Sequence, residues 1–478
     1  MKLVMIILAI PVLFIAILFI RTLLLKPTSA KTAQVTLDTS PRAEEYGRSL
    51  ARMVQHETIS SRFGQDVNKF LSFHELLAEL FPNIHATCEK HEFDGSLLFK
   101  WSGNGTEDPI LLMSHQDVVE ANGTWKHDPF SGEIDETGRI WGRGTVDTKA
   151  SLFCLLRAVE ELIAEGFTPA CDVYLASSCT EEWSGPGAPA IVAYLKEQGV
   201  HLSFLIDEGG MIIEEPIAGV KGTYGMVGVV EKGYGDLRFT AKGKGGHASA
   251  PSKNTPWIRL AKFMSETEKH YPFTSQFNDT VNEMFKRVAP NMNFGMKLIF
   301  ANMWFFRPLL KKLLPVISPA AGAMLRTTLA FTMGKGADGL NVLPQEAYVT
   351  GNMRFIPHQP NEESISIITD LAKKYDIETE VIYQDPPCPV VDYNSDAFHL
   401  IEEVASEVYP GIGICPYVMT GGTDAKYYRD ICDNCLRFAP LYIDPQQYES
   451  IHGLNENIFQ GTLPMGVDFY KKVIQKIH

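Results

Sequence analysis

Apolar and polar positions along residues 42–220 follow two periods in turn, one typical of buried strands and the other of amphipathic helices. The short apolar runs that predict buried strands cover residues 110–114, 172–177 and 202–206. Apolar positions at helical spacing cover residues 148–165 and 190–198. Because strand–helix–strand repetition is typical of parallel sheets, we predict an α/β fold with helices on both faces of a mostly parallel sheet.

The pattern changes after residue 220, which predicts a second folded unit, as the length of 478 residues also suggests. Two antiparallel strands are predicted over 224–241, a helix over 257–271 and a strand over 347–355. These elements predict an inserted α+β lid or dimerisation domain at 221–358. The catalytic α/β domain would therefore comprise residues 42–220 and 359–478.

A stretch inside the insert, residues 284–333, is unusually rich in Met, Phe, Trp and Leu. Such a composition is typical of a helical subdomain that buries its own core. It also suits a surface that binds an apolar substrate or a membrane. The sequence leaves both interpretations open.

The N-terminus carries an apolar run from Leu3 to Ile20, followed by Arg21 and Lys26. Because about 20 apolar residues cross a bilayer as a helix, residues 1–26 predict a single-pass membrane anchor, with a tether at 27–41. A cleaved signal is the alternative, although residues 28–30 make a poor cleavage site. The flanking charges weakly favour a cytoplasmic catalytic domain.

Composition restricts the class of partner. With 45% hydrophobic and 21% charged residues the chain is an ordinary globular protein, and its net charge of −14 argues against nucleic acid as a partner. The eight cysteines are scattered and too few for a disulfide scaffold, which leaves disulfide status open.

Acidic and imidazole side chains follow the predicted strands at their carboxyl ends, where open α/β sheets bind ligands. The groups in question are His115, Asp117, Asp147, Glu181, Glu182, Asp207 and Glu208. So many carboxylates in one crevice repel each other unless cations neutralise them. A mixture of His nitrogen and carboxylate oxygen suits zinc, with cobalt or manganese as substitutes.

The ordered motifs resemble the co-catalytic zinc aminoacylase and carboxypeptidase family, which includes carboxypeptidase G, acetylornithine deacetylase and succinyl-diaminopimelate desuccinylase. The motifs are His115-Gln-Asp117, Gly142-Arg-Gly144-x-x-Asp147, Glu181-Glu182, Asp207-Glu-Gly-Gly210, Gly243-Lys-Gly-Gly-His247, Asn341-Val-Leu-Pro344, Thr420-Gly-Gly-Thr-Asp424 and His452-Gly-x-Asn-Glu456. The chain looks most like the carboxypeptidase S and secreted N-acyl-amino-acid amidohydrolase branch. The resemblance implies a zinc-exopeptidase-like fold. It also favours an extracytoplasmic catalytic domain, which would be secreted if the N-terminal segment were cleaved.

The resemblance also implies roles for individual residues. One zinc ion would be held by His115, Asp147 and Asp207. The second would be held by Asp147, Glu182 and His452, with Asp147 bridging the two. Glu181 matches the general base, Asp117 a carboxylate that orients His115, and His247 an oxyanion-stabilising histidine that a dimer partner sometimes supplies.

The resemblance also implies residues that bind the substrate. Arg354 matches the family's carboxylate-binding arginine, and Asn341 would contact the substrate beside it. Gly421 and Gly422 would form a wall of the site with their backbone. A guanidinium pairs with a terminal carboxylate through two hydrogen bonds. We therefore expect a hydrolase that cleaves an amide bond beside a free carboxylate, in a peptide or an N-acyl amino acid. A dipeptidase of the same fold and a non-catalytic binding protein are the alternatives.

Overall fold

A computed structural model describes residues 2–27, 34–217, 219–385 and 387–477, with side chains from Ile10 onward. Residues 28–33 of the predicted tether, which include the candidate cleavage site at 28–30, lie outside the described residues.

The structure contains the predicted helices and adds further ones. The helices are α1 (Lys2–Leu24), α2 (Pro41–Gln55), α3 (Val67–Leu80), α4 (Pro82–Thr87), α5 (Ala150–Ala164), α6 (Gly187–Glu197), α7 (Pro256–Lys269), α8 (Asp279–Val288), α9 (Phe294–Ala301), α10 (Met303–Ile317), α11 (Pro319–Leu325), α12 (Asn361–Lys373), α13 (Asp396–Val408), α14 (Pro445–Ser450) and α15 (Leu463–Gln475). The helices predicted at 148–165, 190–198 and 257–271 correspond to α5, α6 and α7. Short irregular helical turns occur at Thr145–Lys149 and Glu181–Trp183, next to the predicted site residues.

The strands group into one large sheet and three smaller ones. They are β1 (Glu89–Phe93), β2 (Ser96–Trp101), β3 (Ile110–Met113), β4 (Glu133–Ile134), β5 (Arg139–Trp141), β6 (Val173–Ser177), β7 (Phe204–Asp207), β8 (Ile212–Glu214), β9 (Thr223–Glu231), β10 (Gly233–Lys242), β11 (Gly246–His247), β12 (Thr328–Lys335), β13 (Val342–Leu343), β14 (Glu346–Phe355), β15 (Glu378–Gln384), β16 (Gly413–Met419), β17 (Cys435–Arg437), β18 (Tyr442–Ile443) and β19 (Asn457–Phe459).

The central sheet has the order β1-β2-β6-β3-β7-β17-β9-β8-β18, with β16 also paired to β9. Its middle strands β6, β3, β7 and β17 are parallel, while β1, β2 and β8 join antiparallel neighbours. Strands β3 and β6 are buried at every position, as their unbroken apolar runs predicted. The predicted α/β class with a mostly parallel sheet is confirmed.

A separate antiparallel sheet has the order β12-β14-β10-β15 and packs against α7 and α12 through a core that includes Phe239, Phe263 and Ile368. Its composition differs from the predicted insert in two respects. Strand β9 belongs to the central sheet and does not pair with β10, so residues 224–241 are not a hairpin. Strand β15 and helix α12, predicted in the second catalytic segment, belong with the lid sheet because β15 pairs along β10.

The Met- and Phe-rich stretch forms helices α8 to α11. Its inner side joins the main core through Met284, Phe285 and Phe300, as expected for a helical subdomain. The outer side is exposed at Trp304, Phe305 and other large apolar residues. The inner side therefore fits the helical subdomain, and the binding surface for an apolar substrate or a membrane stays a prediction.

Helix α1 lies against α9 and α10. Leu18 and Thr22 are buried there, and the side-chain amide of Asn302 donates to the Leu18 carbonyl and to Thr22 Oγ1 at 3.1 and 3.2 Å. Within the described part of the chain, no helix is both long enough and apolar enough to cross a membrane. The predicted transmembrane span therefore has no support here, and α1 is seen instead as a helix packed on the insert.

Candidate active site

The carboxyl ends of three parallel neighbours bring the predicted residues together. Strand β3 is followed by His115 and Asp117, β6 by Glu181 and Glu182, and β7 ends at Asp207. Because β6, β3 and β7 are adjacent and parallel, these residues lie at one edge of the sheet. This adjacency is what the sequence pattern predicted.

The imidazoles of His115 and His452 contact the two different oxygens of the Asp147 carboxylate. His115 Nε2 is 3.0 Å from Asp147 Oδ1, and His452 Nε2 is 2.9 Å from Asp147 Oδ2. The Glu182 carboxylate also lies beside His452, 3.1 Å from its Nε2 atom. Asp147 thus has the placement that a bridging ligand requires.

Potential ligand atoms form two overlapping groups that share His115. One group contains Asp147 and Glu182, the other Glu181 and Glu208, and within each group the atoms lie within 4.8 Å of one another. A set of imidazole nitrogens and carboxylate oxygens at this spacing fits a pair of divalent cations. The buried Glu182 Oε1 atom has no hydrogen-bond partner among the described residues, which also fits a cation ligand.

The electrostatics of the metal-free site reflect the crowding of these groups. Burial raises the pKa of Glu182 to about 7 with the help of Asp147, and burial raises that of Glu208 to about 7. Hydrogen bonds to Asp147 and Glu182 raise the pKa of His452 to about 10. Without cations, therefore, protons neutralise part of the negative charge that bound cations would otherwise balance.

The Asp117 carboxylate lies 3.5 Å from His115 Nδ1, and the Asp117 backbone carbonyl makes the closer contact. The Nδ1–H of His115 donates to the Asp117 backbone carbonyl at 2.8 Å, which fixes the ring with Nε2 toward the cluster. The Asp117 carboxylate also accepts hydrogen bonds from the backbone amides of Glu181 and Glu182, at 3.1 and 3.2 Å, and from Ser60 Oγ. Asp117 therefore orients both the imidazole and the Glu181–Glu182 turn.

Asp207 and its neighbour Glu208 face different surroundings. Asp207 accepts from the backbone amides of Glu208 and Ala425 at 2.8 and 2.9 Å, one on each oxygen. Glu208 Oε1 lies 3.4 Å from His115 Nε2. The sequence interpretation did not assign Glu208 a role, although the Asp207-Glu208 pair in the motif was a signal for it.

Glu456 is a second residue whose role only the structure reveals. It is fully buried and accepts from the backbone amides of Gly144, Val146 and Asp147 at 2.8–3.0 Å, while pairing with Arg143 Nη1 at 2.6 Å. Four donors on one carboxylate fix the turn that carries Asp147. The motif ending at Glu456 gave its position but not this function.

A cavity of about 810 Å³ opens beside the cluster, lined by Asp147, Glu181, Glu182, Glu208 and His452. Arg354, Gly421 and Gly422 line it as well, so three of the four predicted substrate-binding residues lie in one space with the acidic groups. The Arg354 guanidinium stacks over the Tyr234 ring at 4.6 Å. The buried Lys426, which pairs with Asp385 at 2.7 Å, adds a second cation to the wall.

His247 and Asn341 do not line this cavity. They lie together on the lid, where β11 pairs with β13 and the Ala248 amide donates to the Asn341 carbonyl. The His247 ring is exposed and its Nδ1 atom lies 2.7 Å from Ser249 Oγ. Their predicted roles remain predictions.

Known proteins share both the sequence and the fold. The model of Peptidase family M20/M25/M40 matches residues 111–476. The chain is 32% identical over 477 residues to the N-fatty-acyl-amino acid synthase/hydrolase PM20D1 of Xenopus tropicalis, with 97% of this chain and 93% of that protein covered. It is 28% identical to carboxypeptidase S of Saccharomyces cerevisiae, with coverages of 81% and 75%.

Solved structures share the fold at lower identity. The M20 family metallo-carboxypeptidase Sso-CP2 of Sulfolobus solfataricus superposes with a TM-score of 0.66 at 18% identity, covering 90% of this chain and 98% of that one. Human carnosine dipeptidase 1 superposes with a TM-score of 0.63 at 14% identity, covering 91% and 97%.

Proposed function

This chain belongs to peptidase family M20/M25/M40, and on that premise we propose that it hydrolyses N-acyl amino acids to a carboxylic acid and a free amino acid. The family membership confirms the expected metal-dependent hydrolase. The observation that carries the substrate proposal is that Arg354 shares one cavity with Glu181 and the imidazole–carboxylate cluster. A terminal carboxylate bound by Arg354 would leave the adjacent amide beside the general base.

Two zinc ions are proposed as the cofactors, with cobalt or manganese as substitutes. His115, Asp147 and Glu208 would hold one ion, and Asp147, Glu182 and His452 the other. We assign Glu208 in place of Asp207 because both Asp207 oxygens already accept backbone hydrogen bonds. When bound, the ions would lower the pKa of a water molecule and polarise the substrate carbonyl.

Glu181 acts as the general base. Its side chain is almost fully buried in the cavity wall, and burial raises its pKa well above the usual range, which favours uptake of a proton from the attacking water. The same carboxyl group then protonates the leaving amine. The Asp117 carboxylate supports this step because it fixes the backbone of Glu181.

The apolar part of the cavity favours an acyl chain over a peptide. Met211, Tyr417, Met419 and Ile451 line it on the side of β16 and the loop before His452. The PM20D1 relatives are named for N-fatty-acyl amino acids, which supports the same substrate class here. A carboxypeptidase that acts on peptides is the second candidate, favoured by the relatives named carboxypeptidase S.

The proposal is tested with a substrate pair and a variant of Arg354. An N-oleoyl amino acid is compared with its methyl amide, in the wild type and in Arg354→Met. We expect the variant to lower kcat/KM about a hundredfold for the acid, since a hydrogen-bonded ion pair contributes about 1.5–3 kcal/mol, and to leave the methyl amide unchanged. Equal losses on both substrates would contradict carboxylate recognition, and faster cleavage of a blocked dipeptide would favour the carboxypeptidase.

We also propose that the enzyme is a homodimer joined through the lid, because His247 and Asn341 lie outside their own cavity. In such a dimer they would reach the partner's site and help to stabilise the oxyanion. Mixing and refolding His247→Ala with Glu181→Gln should then regenerate about a quarter of the wild-type activity. About half of the dimers would contain one copy of each variant, and each such dimer would have one intact site out of two. Two inactive variants that stay inactive when mixed would contradict the shared site. An extracytoplasmic location of the catalytic domain remains part of the proposal.

A further inference from the structure

Helices α1, α9 and α10 together present an apolar surface that is separate from the catalytic cavity. More than half of the exposed large hydrophobic side chains of the described chain lie on these three helices. They include Leu23 at 72%, Trp304 at 53% and Val316 at 80%. None of these residues lines the cavity. An exposed patch of this kind marks an interaction site.

The charged residues of these three helices are all basic. The sequence contains no Asp or Glu in residues 1–37 or in residues 284–337, although the whole chain has a net charge of −14. The described basic side chains of α1, α9 and α10, with Lys26 just after α1, are here named the basic border; they are Arg21, Lys26, Lys297, Arg307, Lys311 and Lys312. A positive border around an apolar face is complementary to an anionic phospholipid surface.

The three helices form one unit. The Asn302 amide, fully buried, joins α1 by donating to the Leu18 carbonyl and to Thr22 Oγ1, and Lys297 Nζ donates to the Leu25 carbonyl at 3.0 Å. The Phe14 ring packs edge-on against Phe305 with ring centroids 4.9 Å apart. Helix α1 is thus fixed to the insert, and its exposed side continues the exposed side of α10.

We propose that α1, α9 and α10 form a docking surface for the face of an anionic lipid bilayer. Trp304 and Phe305 enter the headgroup and acyl boundary, while Lys311 and Lys312 contact lipid phosphates. A second copy of the chain is a poor occupant, because a symmetric interface would bring the same basic border against itself. The surface would hold the enzyme where long-chain acyl compounds partition.

Insertion of Trp304 is tested by fluorescence quenching on the full-length protein. Vesicles of phosphatidylcholine and phosphatidylserine with brominated acyl chains should quench a part of the tryptophan emission. That part should disappear in Trp304→Phe and persist in Trp257→Phe, which alters an exposed tryptophan of the lid helix α7. Equal quenching in the wild type and in Trp304→Phe would overturn the proposal.

The role of the basic border is tested by vesicle flotation. The double variant Lys311→Glu/Lys312→Glu should bind phosphatidylserine-containing vesicles at least about thirtyfold more weakly, since each basic residue near the surface contributes about 1 kcal/mol. The matched control Lys373→Glu/Lys374→Glu places the same charges at the C-terminal end of the lid helix α12 and should bind like the wild type. Equal weakening by both variants, or wild-type binding that is indifferent to phosphatidylserine, would overturn the proposal.

Two further readouts separate membrane docking from a catalytic defect and from self-association. Hydrolysis of a short, soluble N-acyl amino acid should be unchanged in all four variants, so a failure of the catalytic proposal would be visible independently. Sedimentation should give the same oligomeric state for the wild type and for Lys311→Glu/Lys312→Glu. A change of oligomeric state would assign the surface to self-association and overturn membrane docking.

Discussion

Glu181 is the residue on which the proposed chemistry depends. Replacement by Gln keeps the size of the side chain but removes the group that accepts and returns the proton. We expect Glu181→Gln to lower kcat by about 10²–10⁴-fold while two zinc ions per chain remain bound. Metal analysis and steady-state kinetics check this, and a variant that retains full activity would exclude Glu181 as the base.

Two single substitutions distinguish which of the neighbouring carboxylates, Asp207 or Glu208, binds zinc. Because Glu208 faces His115 and Asp207 is bound to backbone amides, Glu208→Gln should lose most of one zinc ion per chain. Asp207→Asn should keep both ions and lose stability instead, since a buried hydrogen-bond network is disturbed. Metal content and thermal unfolding distinguish them, and the opposite pattern would restore Asp207 as the ligand.

At the level of elements, the site depends on turns that fix side chains rather than on the strands alone. The turn that carries Asp147 is held by Glu456 through three backbone amides and Arg143. Removing one partner of a buried ion pair costs about 3–5 kcal/mol. We expect Glu456→Gln to lower the free energy of unfolding by about 3–5 kcal/mol and to weaken zinc binding.

The control for this prediction is the double variant Arg143→Met/Glu456→Gln. It removes the unpaired guanidinium as well, so it should recover part of the lost stability without recovering zinc affinity. Urea unfolding and zinc titration measure the two effects. Recovery of both together would mean that Glu456 acts only through Arg143.

For the whole molecule, the proposed zinc ions would couple distant parts of the chain, because their proposed ligands extend from His115 to His452. The unfolded chain does not hold these groups together, so metal binding stabilises the folded state. With free zinc at about a thousand times Kd, each site adds about 4 kcal/mol. Chelation should therefore lower the Tm and abolish activity, and added zinc should restore both; amine release that survives complete metal removal would contradict the mechanism.

Zinc affinity should also depend on pH. In the metal-free protein Asp147 and Glu182 raise the pKa of His452 to about 10, so below that pH a zinc ion must displace its proton. Affinity should fall as pH falls, by about tenfold per pH unit for each proton displaced. Calorimetry at pH 7 and pH 8, in two buffers of different ionisation enthalpy, measures the proton release; no release would contradict the raised pKa.

The α/β class and the edge of the sheet at which the site lies could be predicted from the sequence alone, because both follow from local periodicity. An apolar run predicts a strand, and residues just after parallel strands share an edge wherever the sheet forms. His115, Asp147, Glu181 and Glu182 were identified from their places after the predicted strands and in a glycine-rich turn. His452 was implied only by the family resemblance, and the structure brings all five together.

Features that depend on residues distant in sequence could be assigned only from the folded structure. Asp207 and Glu208 lie next to each other in the chain, and only the packing of β7 against β3 and β17 determines which carboxylate meets His115. The pairing of β15 with β10 assigns it to the lid, although its sequence is equally consistent with either domain. Likewise, the apolar run at the N-terminus predicts a helix, but only the contacts with Asn302 show which side of α1 the protein covers.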